Sequence, residues 1–190
     1  MTKTRLTLFT DAVVAIIITI LVLEFPHIKG NKFSDLLVLK DVFLAYVVSF
    51  VFLIIYWTNH HHIFQLIDKV SGKTLWLNNA FIFLMSLFPF ATNWLGENIF
   101  ARDPEMLYAA LFLVINGVWL LMIKNLVKVN HHNAHVAEIL GDYKKSYHTL
   151  MLNALAFIIA IFIPIAGLIV NIISFLLWVI PDKRIEHAKK

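Results

Sequence analysis

The first apolar segment, residues 5–24, constrains this chain more than any other feature. Arg5 and Asp11 stand at its start, and the twelve positions after Asp11 hold only Ala, Val, Ile and Leu apart from Thr19. A charge near hydrocarbon costs about 2.5–3.5 kcal/mol on insertion scales, so each of these charges needs a partner. Because the two residues lie about 240° apart around a helix, each partner must come from another helix.

The same segment carries an apolar stripe. Ile16, Ile20 and Leu23 follow the i, i+4, i+7 spacing, which places them on one helix face about 10 Å long. Thr19 flanks this stripe, about 60° from Ile16. Asp11 lies about 140° from Ile16, so the charged motif and the stripe face different neighbours.

Composition places the whole chain in a membrane. It has 190 residues, of which 60% are hydrophobic and 15% charged, and it contains no cysteine. We predict an all-α integral membrane protein with one domain, residues 1–190, and six transmembrane helices. The predicted spans are 5–24, 42–57 (with Leu36 as an alternative start), 75–94, 106–123, and 150–180 as two short helices that turn near Pro164.

The basic residues predict the orientation. If both termini lie on one side, the opposite side holds only four of the 16 Lys and Arg residues, Lys29, Lys32, Lys40 and Arg102. The positive-inside rule then places both termini in the cytoplasm and favours an even number of helices. We read the basic tail after Pro181 as a topology determinant that contacts anionic lipid, with no nucleic-acid partner.

The polar start of the first helix resembles a known signature. Its pattern Arg5-x-x-x-Phe9-Thr10-Asp11 is similar to the R-x-x-x-F-S-D motif of the endosomal and lysosomal potassium channel family, with threonine in place of the usual serine. Three further motifs follow in the family's order: Trp57-x-x-His60-His61-x-x-Phe64, Trp76-x-Asn78 and Pro89-Phe90-x-Thr92. The resemblance covers the first three helices well, whereas the last three match mainly in number and length.

The resemblance implies a channel without a cofactor or enzymatic activity. A single six-helix unit resembles the bacterial branch, which implies a homotetramer in the plasma membrane with the first helix of each subunit lining a central pore. Ile16, Ile20 and Leu23 would form its constricting layers, with Ile16 the narrowest, and Thr19 would add a polar layer. The permeant ion would be K⁺. The chain lacks a T-V-G-Y-G segment, so selectivity cannot come from stacked carbonyls of the usual potassium-channel kind.

The resemblance also implies a supporting network behind the pore helix. Arg5, Thr10 and Asp11, taken as lying opposite the stripe, would be held by His60 or His61 and by Asn78. Phe9 and Trp57 complete this set of motif residues. We hypothesise that Asp11→Ala misassembles or silences the channel, and normal flux through a stable oligomer of that variant would contradict this.

Two other function classes remain open from the residues alone. A proton-coupled carrier of small solutes would use Arg5, Asp11 and the histidines, but a carrier site is expected near the bilayer midplane. A membrane metalloenzyme would use the clusters His60-His61-His62 and His131-His132-x-x-His135. Neither cluster contains a carboxylate, and no H-E-x-x-H pattern is present, so we expect no metal site.

Overall fold

A computed structural model describes residues 2–179, and this part of the chain is built from helices without strands. The basic tail lies outside the described residues. In chain order the elements are α1 (Lys3–Leu23), a 3-10 helix (Phe33–Leu39), α2 (Lys40–Leu66), α3 (Gly72–Met85), α4 (Phe88–Glu97), α5 (Arg102–Val129), α6 (Ala134–Leu140), α7 (Lys144–Ala160) and α8 (Pro164–Leu176).

Four segments are long and apolar enough to cross a membrane: Lys3–Leu23, Phe33–Leu66, Gly72–Glu97 and Arg102–Val129. The second continues well past its predicted end at Trp57, because the helix includes the histidine run. The predicted third span is divided into α3 and α4 by a break after Met85. Pro89 stands in the first turn of α4, where its missing N–H is tolerated.

The last two helices form a hairpin with its turn just before Pro164, as the sequence predicted. Gly167 makes the hairpin tight, since a Cβ there would lie 2.8 Å from the Ala160 Cβ. With 17 and 13 residues, α7 and α8 are about 25 Å and 20 Å long, less than the roughly 30 Å hydrocarbon core. The six-crossing count therefore stays a prediction.

Helix α5 lies at the centre of the described helices. It packs against α3 and α4 on one side and against the α7–α8 hairpin on the other, while α1 packs against α2, α3 and α4 at the edge. Between these helices lies an aromatic core in which the Phe52 ring is 4.2 Å from Phe112 and 4.7 Å from Phe88. Offset and tilted ring pairs of this kind add to the free energy gained by burial.

One end of the bundle, which we call the motif end, collects the start of α1, the end of α2, the start of α3 and the end of α5. Buried Asn130 clamps it: its Oδ1 accepts from the backbone N–H groups of Asp68 and Lys69, at 3.0 and 2.8 Å. The Lys3 ammonium donates to the Ile67 carbonyl at 2.7 Å. The loop between α2 and α3 is thereby fixed to both α1 and α5.

Gly96 allows α2 and α4 to approach closely at the other end. A Cβ on Gly96 would lie 2.6 Å from the Val42 Cα, a backbone atom that cannot swing away, whereas a Cβ on Gly117 in α5 would meet nothing within 4 Å.

Gly96→Ala is expected to destabilise the protein by about 1–3 kcal/mol through overpacking. Gly117→Ala, the matched control, should be neutral or slightly stabilising. Thermal unfolding in detergent measures both, and equal melting temperatures for the two variants would contradict the close approach.

Candidate pore helix and its supporting network

Helix α1 has one face that the rest of the chain covers. The buried residues recur at the spacing of a single helix face: Leu6, Thr10, Val14, Ile17 and Leu21. This face meets α2, α3 and α4. Only 28% of the residues in the most apolar part of α1 are buried, compared with 39%, 44% and 56% for the other three long spans. Much of this apolar helix is therefore left for lipid or for another protein surface.

The predicted constriction residues lie mainly on the uncovered side. Ile16 is 56% exposed and Leu23 is 77% exposed, and Thr19 is also exposed, whereas Ile20 is partly buried. The Thr19 hydroxyl donates to the Ile16 carbonyl at 2.8 Å, so its hydrogen is used within the helix. Its oxygen lone pairs remain able to accept a further hydrogen bond.

Thr10 on the covered face is tied to α2 and α3 by a buried chain of hydrogen bonds. His60 Nε2 donates to Asn78 Oδ1 at 2.9 Å, and Asn78 Nδ2 donates to the Thr10 hydroxyl at 2.8 Å. Thr10 in turn donates to the Leu6 carbonyl at 3.0 Å. The three side chains are almost fully buried, so each bond is protected from water and fixes the rotation of α1 against its neighbours.

Asp11 is tied to α2 by a second contact nearer the surface. The indole Nε1 of Trp57 donates to Asp11 Oδ1 at 2.9 Å. The His61 ring stacks on Trp57 with 6.1 Å between ring centroids, and His61 also hydrogen-bonds Gln65 one turn further along α2. Of the predicted network, the structure thus brings together Thr10, Asp11, Trp57, His60, His61 and Asn78.

Arg5 and Phe9 are placed differently. Arg5 is eleven positions before Ile16, which puts it about 20° from Ile16 around the helix and on the uncovered side, not opposite the stripe. Its guanidinium makes no hydrogen bond or ion pair within residues 2–179, and Phe9 is half exposed. The spacing alone was enough to separate Arg5 from Thr10 and Asp11.

A second polar network, missed from the sequence, links the helices on the other side of the subunit. Tyr56 donates to Asn116, and Asn116 Nδ2 donates to Asn153 Oδ1 at 2.6 Å. Asn153 Nδ2 donates onward to Ser174 at 2.7 Å and to Asn171 at 3.2 Å. The signal was present, because α5, α7 and α8 each carry an asparagine within an apolar stretch, where a polar side chain needs a partner.

The two histidine clusters contact different partners. His60 is committed to Asn78, and His132 Nε2 lies 3.7 Å from the Asp68 carboxylate on the surface of the motif end. Within the described part of the chain, no three His, Cys, Asp or Glu side chains converge as metal ligands would.

Comparison with known proteins shows which family this chain resembles. The family model described as endosomal/lysosomal potassium channel TMEM175 matches residues 5–89. A potassium channel of Chryseobacterium sp. (strain P1-3) is 37% identical over 191 residues, which cover 100% of this chain and 99% of that protein. An endosomal/lysosomal proton channel TMEM175 of Gallus gallus is 24% identical over 193 residues, covering 90% of this chain but 37% of the chicken protein.

The fold is similar to that of a TMEM175 homolog whose crystal structure has been solved. The crystal structure of a lysosomal potassium-selective channel TMEM175 homolog from Chamaesiphon minutus matches with a TM-score of 0.79 and 28% identity, over 93% of this chain and 96% of that one. Relatives therefore align along nearly the full length, beyond the three helices that carry the motifs. The chain is a multi-pass membrane protein and belongs to the TMEM175 family of ion channels.

Proposed function

We propose that this protein is a potassium-preferring cation channel in which α1 from each of four subunits lines a central pore. The observation that carries the proposal is the division of α1 into two faces. One face is fixed to α2 and α3 by buried hydrogen bonds, and the other presents Ile16, Thr19 and Leu23 outside the subunit. A helix that is rigidly oriented yet uncovered on one side is suited to line a path between subunits.

Lipid is the simplest alternative occupant of that face. Two features favour a protein-lined path. Arg5 and Thr19 lie on the uncovered side, and a charge exposed toward hydrocarbon is costly, while a neighbouring subunit or water can satisfy it. The bacterial relatives, moreover, are potassium channels by name, and one subunit of this size has no wide interior path of its own. We infer that Arg5 and Phe9 meet a neighbouring copy.

The proposed pore selects by hydration. Ile16, Ile20 and Leu23 would form a constriction that offers nothing to replace water lost by an ion, so it passes ions poorly and gates by dewetting. An ion with a weaker hydration shell loses less on entering. K⁺ is therefore expected to pass more readily than Na⁺, with a modest ratio.

We propose six crossings with both termini in the cytoplasm of a bacterial cell and the domain spanning residues 1–190. The distribution of basic residues supports this orientation, and the hairpin α7–α8 would supply the last pair of crossings. The motif end, with Lys3, Lys69 and Lys128, would then face the cytoplasm.

A proton-coupled carrier is less favoured, because the polar groups of the motif end are engaged. His60 Nε2, Asn78 and Thr10 bond to one another without any substrate, although the buried His60 Nδ1 has no hydrogen-bond partner within residues 2–179. The chicken relative is a proton channel by name, so H⁺ is the second permeant ion to test.

Flux into liposomes that contain the purified protein tests the proposal. Potassium, sodium and proton gradients are imposed separately, with protein-free liposomes as the control. Flux in the order K⁺ above Na⁺ supports the proposal. Proton flux that exceeds potassium flux at equal driving force would reassign the ion, and the absence of any ion flux in folded, reconstituted protein would favour the carrier.

A further inference from the structure

Glu105 is a buried carboxyl that the proposed pore does not use. It stands in the first turn of α5 and has 0% of its surface exposed. Neither carboxyl oxygen has a hydrogen-bond partner. A carboxylate buried in this way loses its hydration, which makes it one of the most unfavourable groups that a protein interior can hold unless a partner compensates its charge.

Within residues 2–179, no basic side chain is hydrogen-bonded to or ion-paired with the Glu105 carboxyl. The nearest basic residue in sequence, Arg102, is exposed and pairs with Asp103 at 3.1 Å. Among the helices packed against α5 at that end, α8 and the second half of α7 carry no ionisable residue, and Glu97 of α4 is exposed. On α5 itself, Tyr108 is the titratable group close to Glu105, and its hydroxyl is bonded to Ser49 at 2.7 Å.

The position of Glu105 near a helix N-terminus does not compensate for this burial. The helix dipole favours negative charge in the first turn, but its effect is weak beside the desolvation of a buried ion. The exposed Asp103 occupies the same turn and can interact favourably with the helix dipole without losing its hydration. The Glu105 oxygens accept no bond from the backbone N–H groups of α5.

The neighbour of the Glu105 carboxyl is the amide of Asn171 on α8. Asn171 is also fully buried, and its Nδ2 has no partner. Three buried polar atoms on two facing helices are thus unsatisfied: both oxygens of Glu105 and Nδ2 of Asn171. An ionised carboxylate could accept from Nδ2 but would leave its second oxygen without a partner and its charge uncompensated. A protonated carboxyl would satisfy all three atoms, because its O–H can donate to Asn171 Oδ1 while its other oxygen accepts from Nδ2.

We propose that Glu105 is a proton-binding site inside each subunit, occupied at neutral pH, which joins α5 to α8 as a carboxylic acid–amide pair. The pair extends the second polar network, because Asn171 Oδ1 also accepts from Asn153 Nδ2 of α7 at 3.2 Å. The Tyr108 hydroxyl, one turn along α5 from Glu105, bonds to Ser49 of α2, which in turn bonds to Thr92 of α4. The site therefore lies next to the contact of α5 with α2 and α4. Release of the proton would leave a charge between α5 and α8 and loosen the packing of the α7–α8 hairpin against α5.

Stability as a function of pH tests the bound proton. If folded protein keeps a proton that the unfolded chain releases, the ratio of folded to unfolded protein falls about tenfold per pH unit above the range in which the unfolded carboxyl ionises. Glu105→Gln imitates the neutral acid and lacks this loss. Its melting temperature in detergent should therefore exceed that of the wild type by a margin that widens from pH 5 to pH 8. Glu97→Gln, which changes an exposed glutamate at the same end, should show a constant margin.

A margin for Glu105→Gln that does not change with pH would overturn the proposal. Infrared spectroscopy of the wild type gives a second reading that does not depend on any variant folding. A neutral carboxyl C=O band at pH 7 that shifts when glutamate is labelled with ¹³C supports the bound proton. No such band at pH 7 would show Glu105 to be ionised and would also overturn the proposal.

Discussion

Ile16→Asn is expected to raise potassium flux about tenfold and to lower the preference for potassium over sodium. A polar side chain at the proposed narrowest layer can replace water lost by the ion, and a barrier lowered by about 1.4 kcal/mol gives a tenfold rate. Four copies around one axis would change together. Potassium and sodium flux into liposomes, normalised to the amount of reconstituted protein, measures both effects.

Val22→Asn is the matched control for Ile16→Asn. Both residues are apolar, exposed in the subunit (53% and 56%) and part of α1, but they lie about 120° apart around the helix. The central pore predicts that only Ile16→Asn alters flux. Equal effects of the two variants, or no effect of either in folded protein, would contradict a pore lined by the stripe.

Asn78→Leu is expected to destabilise the folded protein by about 2–4 kcal/mol and to abolish flux. The substitution removes two buried hydrogen bonds and leaves the His60 Nε2–H without an acceptor, and each buried unsatisfied group costs about 1–3 kcal/mol. It also removes the bond to Thr10 that fixes the rotation of α1. Thermal unfolding in detergent and flux in liposomes measure the two consequences.

Asn79→Leu provides the control, because Asn79 is the next residue on α3 and is exposed. It should leave both stability and flux close to those of the wild type. Similar losses in the two variants would mean that α3 tolerates no leucine at this level of the membrane, and would remove the support for a specific network.

The sequence predicted the features that follow from short-range patterning. Uninterrupted apolar runs gave the long spans, and the Pro164 turn was placed correctly because proline and a run of excessive length both point to a break. The motif residues were also assigned to one group. The structure joins Thr10, Asn78 and His60 by one set of hydrogen bonds, whereas the hydrogen bond to Asp11 comes from Trp57 and not from the predicted histidine or asparagine.

What the sequence did not predict depends on how helices face one another. Asn130 and Glu105 look like ordinary ends of helices in the sequence, and their burial follows only from the approach of α2–α3 and of α8. The break between α3 and α4 comes three residues before Pro89, since the proline excludes the preceding turn from regular α-helix. What covers the exposed side of α1 is not encoded in any local pattern.

The cysteine-free sequence allows the most direct test of the central claim, that the stripe Ile16, Ile20 and Leu23 of α1 lines the ion path. Leu23→Cys and Val22→Cys would each be reconstituted and treated with a small cationic thiol reagent, with labelling quantified by mass spectrometry. We predict that modification of Leu23→Cys blocks potassium flux, while equal modification of Val22→Cys leaves it unchanged. Undiminished flux through fully labelled Leu23→Cys, or a block confined to Val22→Cys, would contradict the account.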